Sequence, residues 1–348
     1  MDWGLVGGGL VVLFVLWMWW DFLKFLFRLV SRFASAITNR FRQKLIKPGL
    51  SPQASKALGC LAQSKKREPF YSLLDAGGEN LYNELSSQEI PLEKLRLAHN
   101  NRPAHGWTTV LLAERLIDVG WSIRTGKVAA EVSTEQWEGF FSHLNEAETL
   151  LDALLLTHAD CYPVYENLLT ICQGMSKRDK AEEVFQLAER RFPEKLDLKL
   201  RYIRSRARRW GGEAMEGVSY ARTQAEQWNQ PWRYGLIAFA HVERALDEGN
   251  SKKYFADQGV QKELASYFEL FVSCPESRQP NRFRESKEIL NYFAFCFFRG
   301  KNKEMLRKAM TLLGGHMSET PWHIVQGTVL ETFQNARAMA DLQPLLAK

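Results

Sequence analysis

The apolar residues after Glu68 recur at spacings of three and four, which is the period of an amphipathic α-helix. We find no sustained alternation of apolar and polar residues and no Asn-Gly or Asp-Gly hairpin signal, so β-strands are not expected. Glycines interrupt the helical runs at positions typical of helix ends, namely Gly77-Gly78, Gly174, Gly211-Gly212, Gly249 and Gly314-Gly315. The pattern predicts an all-α protein.

Beyond Pro231 the same spacing continues, together with a seam of aromatic residues. It predicts helices over 232–247, 260–272, 281–298, 303–313 and 321–345, and a short helix over 54–64 near the start. The seam at 292–298 is expected to be buried because five of its seven residues are large aromatics. These helices either continue the preceding helical array or cap it.

The N-terminal pattern is different, because no charged residue occurs from Leu5 to Trp20, a run that includes Leu16. At about 1.5 Å per residue such a helix nearly spans a hydrocarbon core of about 30 Å. Trp17, Trp19 and Trp20 stand where an aromatic belt meets the lipid headgroups. We therefore expect a transmembrane anchor rather than a buried core helix.

A cleaved secretory signal is the other alternative for this run. Such a signal needs positive charge before the apolar run and a small-residue cleavage site soon after it. Here Asp2 precedes the run, and the small residues 34–36 lie beyond Lys24 and Arg28. An uncleaved anchor fits these flanks better.

The charges that follow the run predict its orientation. The segment from Lys24 to Lys47 contains several basic residues and no acid, so the positive-inside rule places it in the cytoplasm of a bacterial cell. The net charge of +6 and the pI near 9.0 largely reflect this segment and do not predict nucleic-acid binding. The cysteines have no C-x-x-C spacing and favour reduced, buried thiols: Cys60, Cys161, Cys172, Cys274 and Cys296.

These patterns divide the chain into four parts. Residues 1–33 form the anchor and its interfacial extension, and residues 34–67 form a basic linker close to the membrane, in contact with anionic lipids. Residues 68–230 form the helical repeats, and residues 231–348 form the C-terminal helical region. Gly4 and Gly8 make a G-x-x-x-G motif in the anchor, which would allow a homodimer.

Part of the helical region resembles the tetratricopeptide pattern of aromatic, leucine, alanine and proline positions. The residues that carry the resemblance are Tyr165, Leu168, Ala181, Phe185, Ala188 and Pro193. A shift of about 34 residues toward the N-terminus places Ala147, Leu151 and Leu154 in the same roles, and a similar shift the other way places Ala214, Val218 and Ala221 there. We predict three antiparallel helix pairs over 107–227, with an insertion around 124–134, as part of a tetratricopeptide-like α-solenoid.

A second resemblance rests on a succession of tryptophan-containing segments. They are Trp107, Ala113-Glu114, Gly120-Trp121, Trp137 with Phe140, Ala159-Asp160, Tyr162-Pro163 and Arg209-Trp210-Gly211-Gly212-Glu213-Ala214-Met215. Over 68–227 the chain resembles a bacterial family of tetratricopeptide-like domains of unknown function, of which the Trp-Gly-Gly segment is the most distinctive part. The resemblance implies an all-helical fold and no established catalytic residue or cofactor.

Motifs of common enzymes are missing from the sequence, including the phosphate-binding loop, the G-x-S-x-G elbow and H-E-x-x-H. The histidine pairs at 99 and 105 and at 316 and 323 have no regular spacing with a third ligand, so we expect structural or surface roles and no metal. Cys161 and His158 could form a nucleophile-base pair. Packing at a helix junction explains the presence of both residues better than catalysis does.

The basic run near the Trp-Gly-Gly segment is the candidate binding site. Arg201, Arg204 and Arg208 fall on one helix face and Trp210 follows, a combination that suits an acidic peptide or a phosphate. The alternative is a solvated outer face of the solenoid. A second basic stripe or a stacking platform, which nucleic-acid binding would require, is not evident.

These observations favour a non-enzymatic scaffold or adaptor that recruits a protein or peptide to the inner membrane through a helical-repeat groove. No cofactor is expected. One alternative is an immunity protein that neutralises a secreted toxin. Another is a helical enzyme whose site is assembled from scattered residues such as His99, His105, Glu114 and Asp160.

Overall fold

The computed structural model describes residues 50–62, 68–127, 129–274, 283–325 and 327–343. All of them except residue 50 belong to one compact unit, Ser51–Lys348. The predicted anchor at 1–33 and most of the predicted linker lie outside the described residues. Within the described ranges, none of the helices combines the length and the apolar character that a membrane crossing needs.

The described part of the chain is all-helical and contains no β-strand, which confirms the predicted fold class at this level. Its α-helices are α1 (Pro52–Ala62), α2 (Glu68–Ser86), α3 (Leu92–Asn101), α4 (Gly106–Arg124), α5 (Thr134–Leu155), α6 (Tyr162–Gly174), α7 (Arg178–Arg191), α8 (Leu196–Ser205), α9 (Glu216–Gln227), α10 (Leu236–Asp247), α11 (Ser251–Phe255), α12 (Gln258–Ser273), α13 (Phe283–Gly300), α14 (Lys303–Leu313) and α15 (Val329–Met339). Short 3-10 turns at Ala129–Glu131, Arg208–Trp210, Pro231–Gly235 and Trp322–Ile324 separate some of them.

Several helices that are not consecutive in the chain pack side by side. Each member of the series α2, α4, α6, α8, α10 and α13 contacts the next member, and we call this series the helix row. The intervening helices pack against the row: α5 contacts α4 and α6, α7 contacts α6 and α8, and α9 contacts α8 and α10. Side chains on successive helices of the row are therefore neighbours in space.

The tetratricopeptide-like positions are buried at most of the predicted sites. Ala181 and Ala188 are 3% and 0% exposed, and Ala147 is fully buried in α5. Ala214 is an exception, since it is exposed and precedes α9, which begins only at Glu216. The alignment of the third repeat is wrong at this position because the turn before α9 is longer than the pattern assumes.

The Trp-Gly-Gly segment forms that longer turn. Gly211 has a left-handed backbone with φ 87°, and a Cβ added to Gly212 would overlap the carbonyl oxygen of Arg206. Arg178 donates hydrogen bonds to the Gly211 carbonyl and to both carboxylate oxygens of Glu216. The motif is thus explained by the close approach of two backbone segments.

The C-terminal helices share a continuous hydrophobic core with α8 and α9, which extends from Leu196 to Ala340. The aromatic seam on α13 is buried as predicted, except that Phe298 is only partly buried. The single helix predicted over 321–345 is wrong, because a 3-10 turn at Trp322–Ile324 and Gly327, with φ 116°, precede α15. The remaining predicted helix bounds agree with the structure within a few residues.

Candidate partner-binding surface

Two of the predicted basic residues lie on α8 within the helix row. Arg201 donates from Nε to Oε1 of Glu166 at 3.1 Å and from a terminal nitrogen to Oγ1 of Thr170 at 2.9 Å. Arg204 donates from Nε to Oε1 of Glu243 at 3.0 Å. Both arginine side chains are 40% exposed. They remain accessible, but acidic residues of the neighbouring helices already pair with their charges.

The other two predicted site residues follow the end of α8. Arg208 does not share a helix face with Arg201 because α8 ends at Ser205, and Arg208 is an exposed residue of the following 3-10 turn. The indole of Trp210 packs edge-on against Trp121, with ring centroids 5.8 Å apart. The predicted helix face shared by Arg201, Arg204 and Arg208 is therefore wrong for Arg208, and the part of Trp210 in partner binding stays a prediction.

Sequence reasoning missed a hydrogen-bonded group on the neighbouring helices of the row. The hydroxyl of Tyr82 donates to Oε2 of Glu114 at 2.5 Å, and the side-chain amide of Asn167 donates to the same hydroxyl at 3.3 Å. Burial raises the pKa of Glu114 to about 7, although the hydrogen bond from Tyr82 acts in the opposite direction. Burial also raises the pKa of Glu166, against the opposing effect of Arg201.

A third group connects α2 to the start of α8, across 116 positions in the chain. The ammonium of Lys195 lies 3.4 Å from Oε1 of Glu79 and 4.6 Å from the ring centroid of Tyr162. Tyr162 is only 4% exposed, and its hydroxyl has no hydrogen-bond partner among the described residues. Asp197, in the first turn of α8, is exposed.

Together these residues form one polar surface on the helix row. We call it the row cluster, and it comprises Glu79, Tyr82, Glu114, Tyr162, Glu166, Asn167, Lys195, Asp197 and Arg201. Four of its members are acidic and two are basic, so its charge is opposite in sign to the net charge of +6 of the whole chain. No sequence motif reveals the cluster, because its hydrogen bonds join residues that are 32, 35, 85 or 116 positions apart.

The four residues considered for an enzyme are not assembled into a site. His105 accepts a hydrogen bond from the backbone of Thr108 as the N-cap of α4, and His99 is hydrogen-bonded to Thr109. Asp160 is fully exposed, and Glu114 belongs to the row cluster. No hydrogen bond or ion pair joins any two of the four, all of which are described. Among the described residues we also find no group of three or more metal-ligating side chains.

The nucleophile-base alternative for Cys161 is not supported by its surroundings. Burial raises the pKa of the Cys161 thiol to about 12, which disfavours the reactive thiolate. His158 hydrogen-bonds through Nδ1 to the hydroxyl of Thr157 at 2.8 Å. None of the five cysteines forms a disulfide, but Cys60, Cys161 and Cys274 are only partly buried rather than fully buried as predicted.

A separate cleft of about 470 Å³ lies between α13 and the segment 316–320. Asn291 lines one side of the cleft. Its side-chain amide donates a hydrogen bond to the His316 carbonyl, and its side-chain oxygen accepts a hydrogen bond of 2.7 Å from the Trp322 indole. The cleft shares no residue with the row cluster.

Comparison of the chain with protein-family models, with curated proteins and with solved structures found no match. The resemblance to a bacterial tetratricopeptide-like family therefore stays a prediction. The row cluster, defined by hydrogen bonds and ion pairs between helices of the row, is the candidate site for binding a partner.

Proposed function

We propose that the helical body is a non-enzymatic protein-binding module of the tetratricopeptide-like class. Contacts between helices at nearly regular separations support this. Lys180 pairs with Glu148 across 32 positions and Arg178 pairs with Glu216 across 38 positions, close to the repeat length of about 34 residues. Stacked helix pairs produce such separations, because equivalent residues of adjacent repeats lie next to one another.

The observation that carries the proposal is the row cluster itself. It combines polar side chains from α2, α4, α6 and α8, many of which are only partly exposed. In stacked helical repeats, one row of helices lines the surface that binds a peptide or a helix of a partner. The cluster therefore marks the surface that we assign to the partner.

The location of the module is part of the proposal. Residues 1–33 would anchor the chain in the bacterial inner membrane, with the helical body in the cytoplasm, and the basic linker would contact anionic headgroups. Anchoring raises the effective concentration of the module near membrane partners. A scaffold or adaptor for an envelope assembly is the use that these features support best.

Site-specific photo-crosslinking in the native host tests this function. A photoreactive amino acid is placed in the full chain at Asn83, an exposed residue one helical turn after Glu79 of the row cluster, or at Glu183, an exposed position on α7. We expect position 83 to yield a discrete crosslinked protein and position 183 to yield none. Mass spectrometry of the product would separate an assembly partner from a toxin, which an immunity protein would bind.

Two results would contradict the proposal. Identical products from positions 83 and 183 would show that the crosslinks are nonspecific. The absence of any protein product from position 83, in cells that express the anchored chain at native levels, would show that the row cluster does not bind a protein.

A further inference from the structure

The row cluster carries more acidic than basic groups at its accessible positions. Arg201 and Lys195 are already engaged by Glu166 and Glu79 within the cluster. Asp197 is exposed, and although it forms no ion pair with any other described residue, its charge acts on Arg201 one turn further along α8. Because the cluster has four carboxyl groups and two cations, an incoming cation would meet a more favourable potential than an incoming anion.

A second, independent feature of the cluster is the buried hydroxyl of Tyr162. Tyr162 is 4% exposed, yet its hydroxyl makes no hydrogen bond within the described part of the chain. Buried hydroxyl groups are nearly always paired, and an exception calls for an explanation. The negative charges of Glu166, Asp197 and Glu79 act on this hydroxyl, and the positive charge of Arg201 opposes them. A donor or acceptor supplied from outside would complete its hydrogen bonding.

We propose that the row cluster binds a cationic side chain, lysine or arginine, on a basic segment of the protein partner, with Asp197 as its ion-pair acceptor and the Tyr162 hydroxyl as a hydrogen-bond partner. This inference rests on the proposed function and specifies the chemistry of its ligand. It reverses the expectation from the basic run at 201–209, which favoured an acidic peptide. The reason is that the helix row brings carboxylates from other helices next to Arg201 and Arg204.

The donor count of a cationic side chain suits a carboxylate and a hydroxyl. A lysine ammonium has three donors and an arginine has five, so either can form more than one hydrogen bond. Charge-assisted hydrogen bonds of this kind are roughly twice as strong as neutral ones. The ammonium of Lys195 already lies over the ring of Tyr162, 4.6 Å from its centroid, so the buried hydroxyl is the group of this side chain that lacks a partner among the described residues.

Calorimetric titration of the detergent-purified full chain tests the inference. The probe is an N-acetylated, C-amidated peptide that alternates lysine and alanine, and two comparison peptides carry glutamine or glutamate in place of lysine. We expect the lysine peptide to bind more tightly than the glutamine peptide, and its affinity to fall with added salt. Asp197→Asn should weaken it about tenfold, and Tyr162→Phe should weaken it roughly threefold or more.

Matched controls make the result specific. Glu183→Gln removes one carboxylate from an exposed position on α7 and should leave lysine-peptide binding unchanged. Thermal melts should show that Tyr162→Phe, which keeps the buried ring, folds like the wild type. The inference would be overturned if Asp197→Asn and Tyr162→Phe left the affinity unchanged, or if lysine and glutamine peptides bound equally.

This failure is distinguishable from a failure of the proposed function. A crosslinked protein that still forms from position 83 while the lysine peptide shows no preference would refute the cationic ligand and leave the binding module in place. Loss of the crosslinked protein would refute the binding module itself.

Discussion

The hydroxyl of Tyr82 lies 2.5 Å from a carboxylate oxygen of Glu114, although the two residues are 32 positions apart. The contact joins α2 to α4 and places a carboxyl group in a partly buried position between helices. Burial raises the pKa of Glu114 to about 7, and the charges of Asp118 and Glu166 raise it further while Arg201 lowers it. This group therefore titrates close to physiological pH.

The first prediction follows from this raised pKa. Between about pH 4.5, where an unfolded glutamate titrates, and pH 7, the folded protein holds a proton that the unfolded chain has lost. The contribution of Glu114 to the stability of the wild type should therefore fall as the pH rises through this range. Glu114→Gln removes this titrating group. The free energy of unfolding of the variant, measured relative to that of the wild type, should therefore increase by about 1 to 3 kcal/mol between the low and the high end of this pH range.

Thermal melts of the full chain across this pH range measure the difference. Glu183→Gln, which removes an exposed carboxylate on α7, serves as the control and should follow the wild type at every pH. Parallel curves for Glu114→Gln and wild type would show that Glu114 has an ordinary pKa in the folded state.

The second prediction concerns Glu263, whose pKa is lowered rather than raised. Hydrogen bonds from His241 and Arg222, at 3.2 and 2.7 Å, lower the pKa of Glu263 to about 2. The stability that this carboxylate contributes is complete above about pH 4.5 and is lost as the pH falls toward 2. Glu263→Gln should destabilise the protein at neutral pH by about 1 to 2 kcal/mol, a value reduced for partial exposure.

Urea unfolding at several pH values checks this effect. The gap between Glu263→Gln and wild type should narrow as the pH drops below 4.5, because the wild-type carboxylate then becomes neutral as well. A gap that stays constant with pH would mean that the loss arises from packing and not from the charge.

The third prediction concerns the Trp-Gly-Gly turn. Gly212→Ala places a Cβ against the carbonyl oxygen of Arg206, a backbone atom that cannot move away alone. We expect a loss of about 1 to 3 kcal/mol, or more, in the free energy of unfolding. Gly59→Ala is the control, because a Cβ there meets nothing within 4 Å and α1 should gain about 0.5 to 1 kcal/mol. Equal melting temperatures for the two variants would refute this explanation of the motif.

The fourth prediction tests the helix packing around α7. Ala181 is 3% exposed, so Ala181→Leu adds three carbon atoms to a filled contact and should cost about 1 to 3 kcal/mol. Glu183→Leu adds the same side chain at an exposed position of the same helix and should change stability by less than about 0.5 kcal/mol. An unchanged melt for Ala181→Leu would contradict close packing at this position.

The fifth prediction concerns the anchor, whose residues lie outside the described ranges. A fluorescent protein fused after Lys348 should be bright in bacterial cells, and alkaline phosphatase fused there should be inactive, because the helical body is predicted to be cytoplasmic. Active phosphatase would place the body outside. Carbonate extraction should leave the chain in the membrane, whereas an interfacial helix would release it.

The sequence by itself determined the helices of this protein. Apolar spacing of three and four depends only on neighbours within a helix, and it correctly predicted the bounds Lys303–Leu313 and the buried seam on α13. It failed over 321–345, where Gly327 and the turn at Trp322–Ile324 interrupt a continuous apolar pattern. Trp322 is buried against α13 and α15, and this packing accounts for the interruption of the predicted helix.

Only the tertiary structure decided which charges meet. Arg201 and Arg204 form a basic stripe when α8 is considered alone, but Glu166 on α6 and Glu243 on α10 neutralise them. Local sequence contains no information on that pairing, because it depends on which helices lie side by side in the row. The same packing leaves Asp197 exposed and the hydroxyl of Tyr162 without a partner among the described residues, so the preference of the surface for a cation arises from the arrangement of helices and not from any one segment.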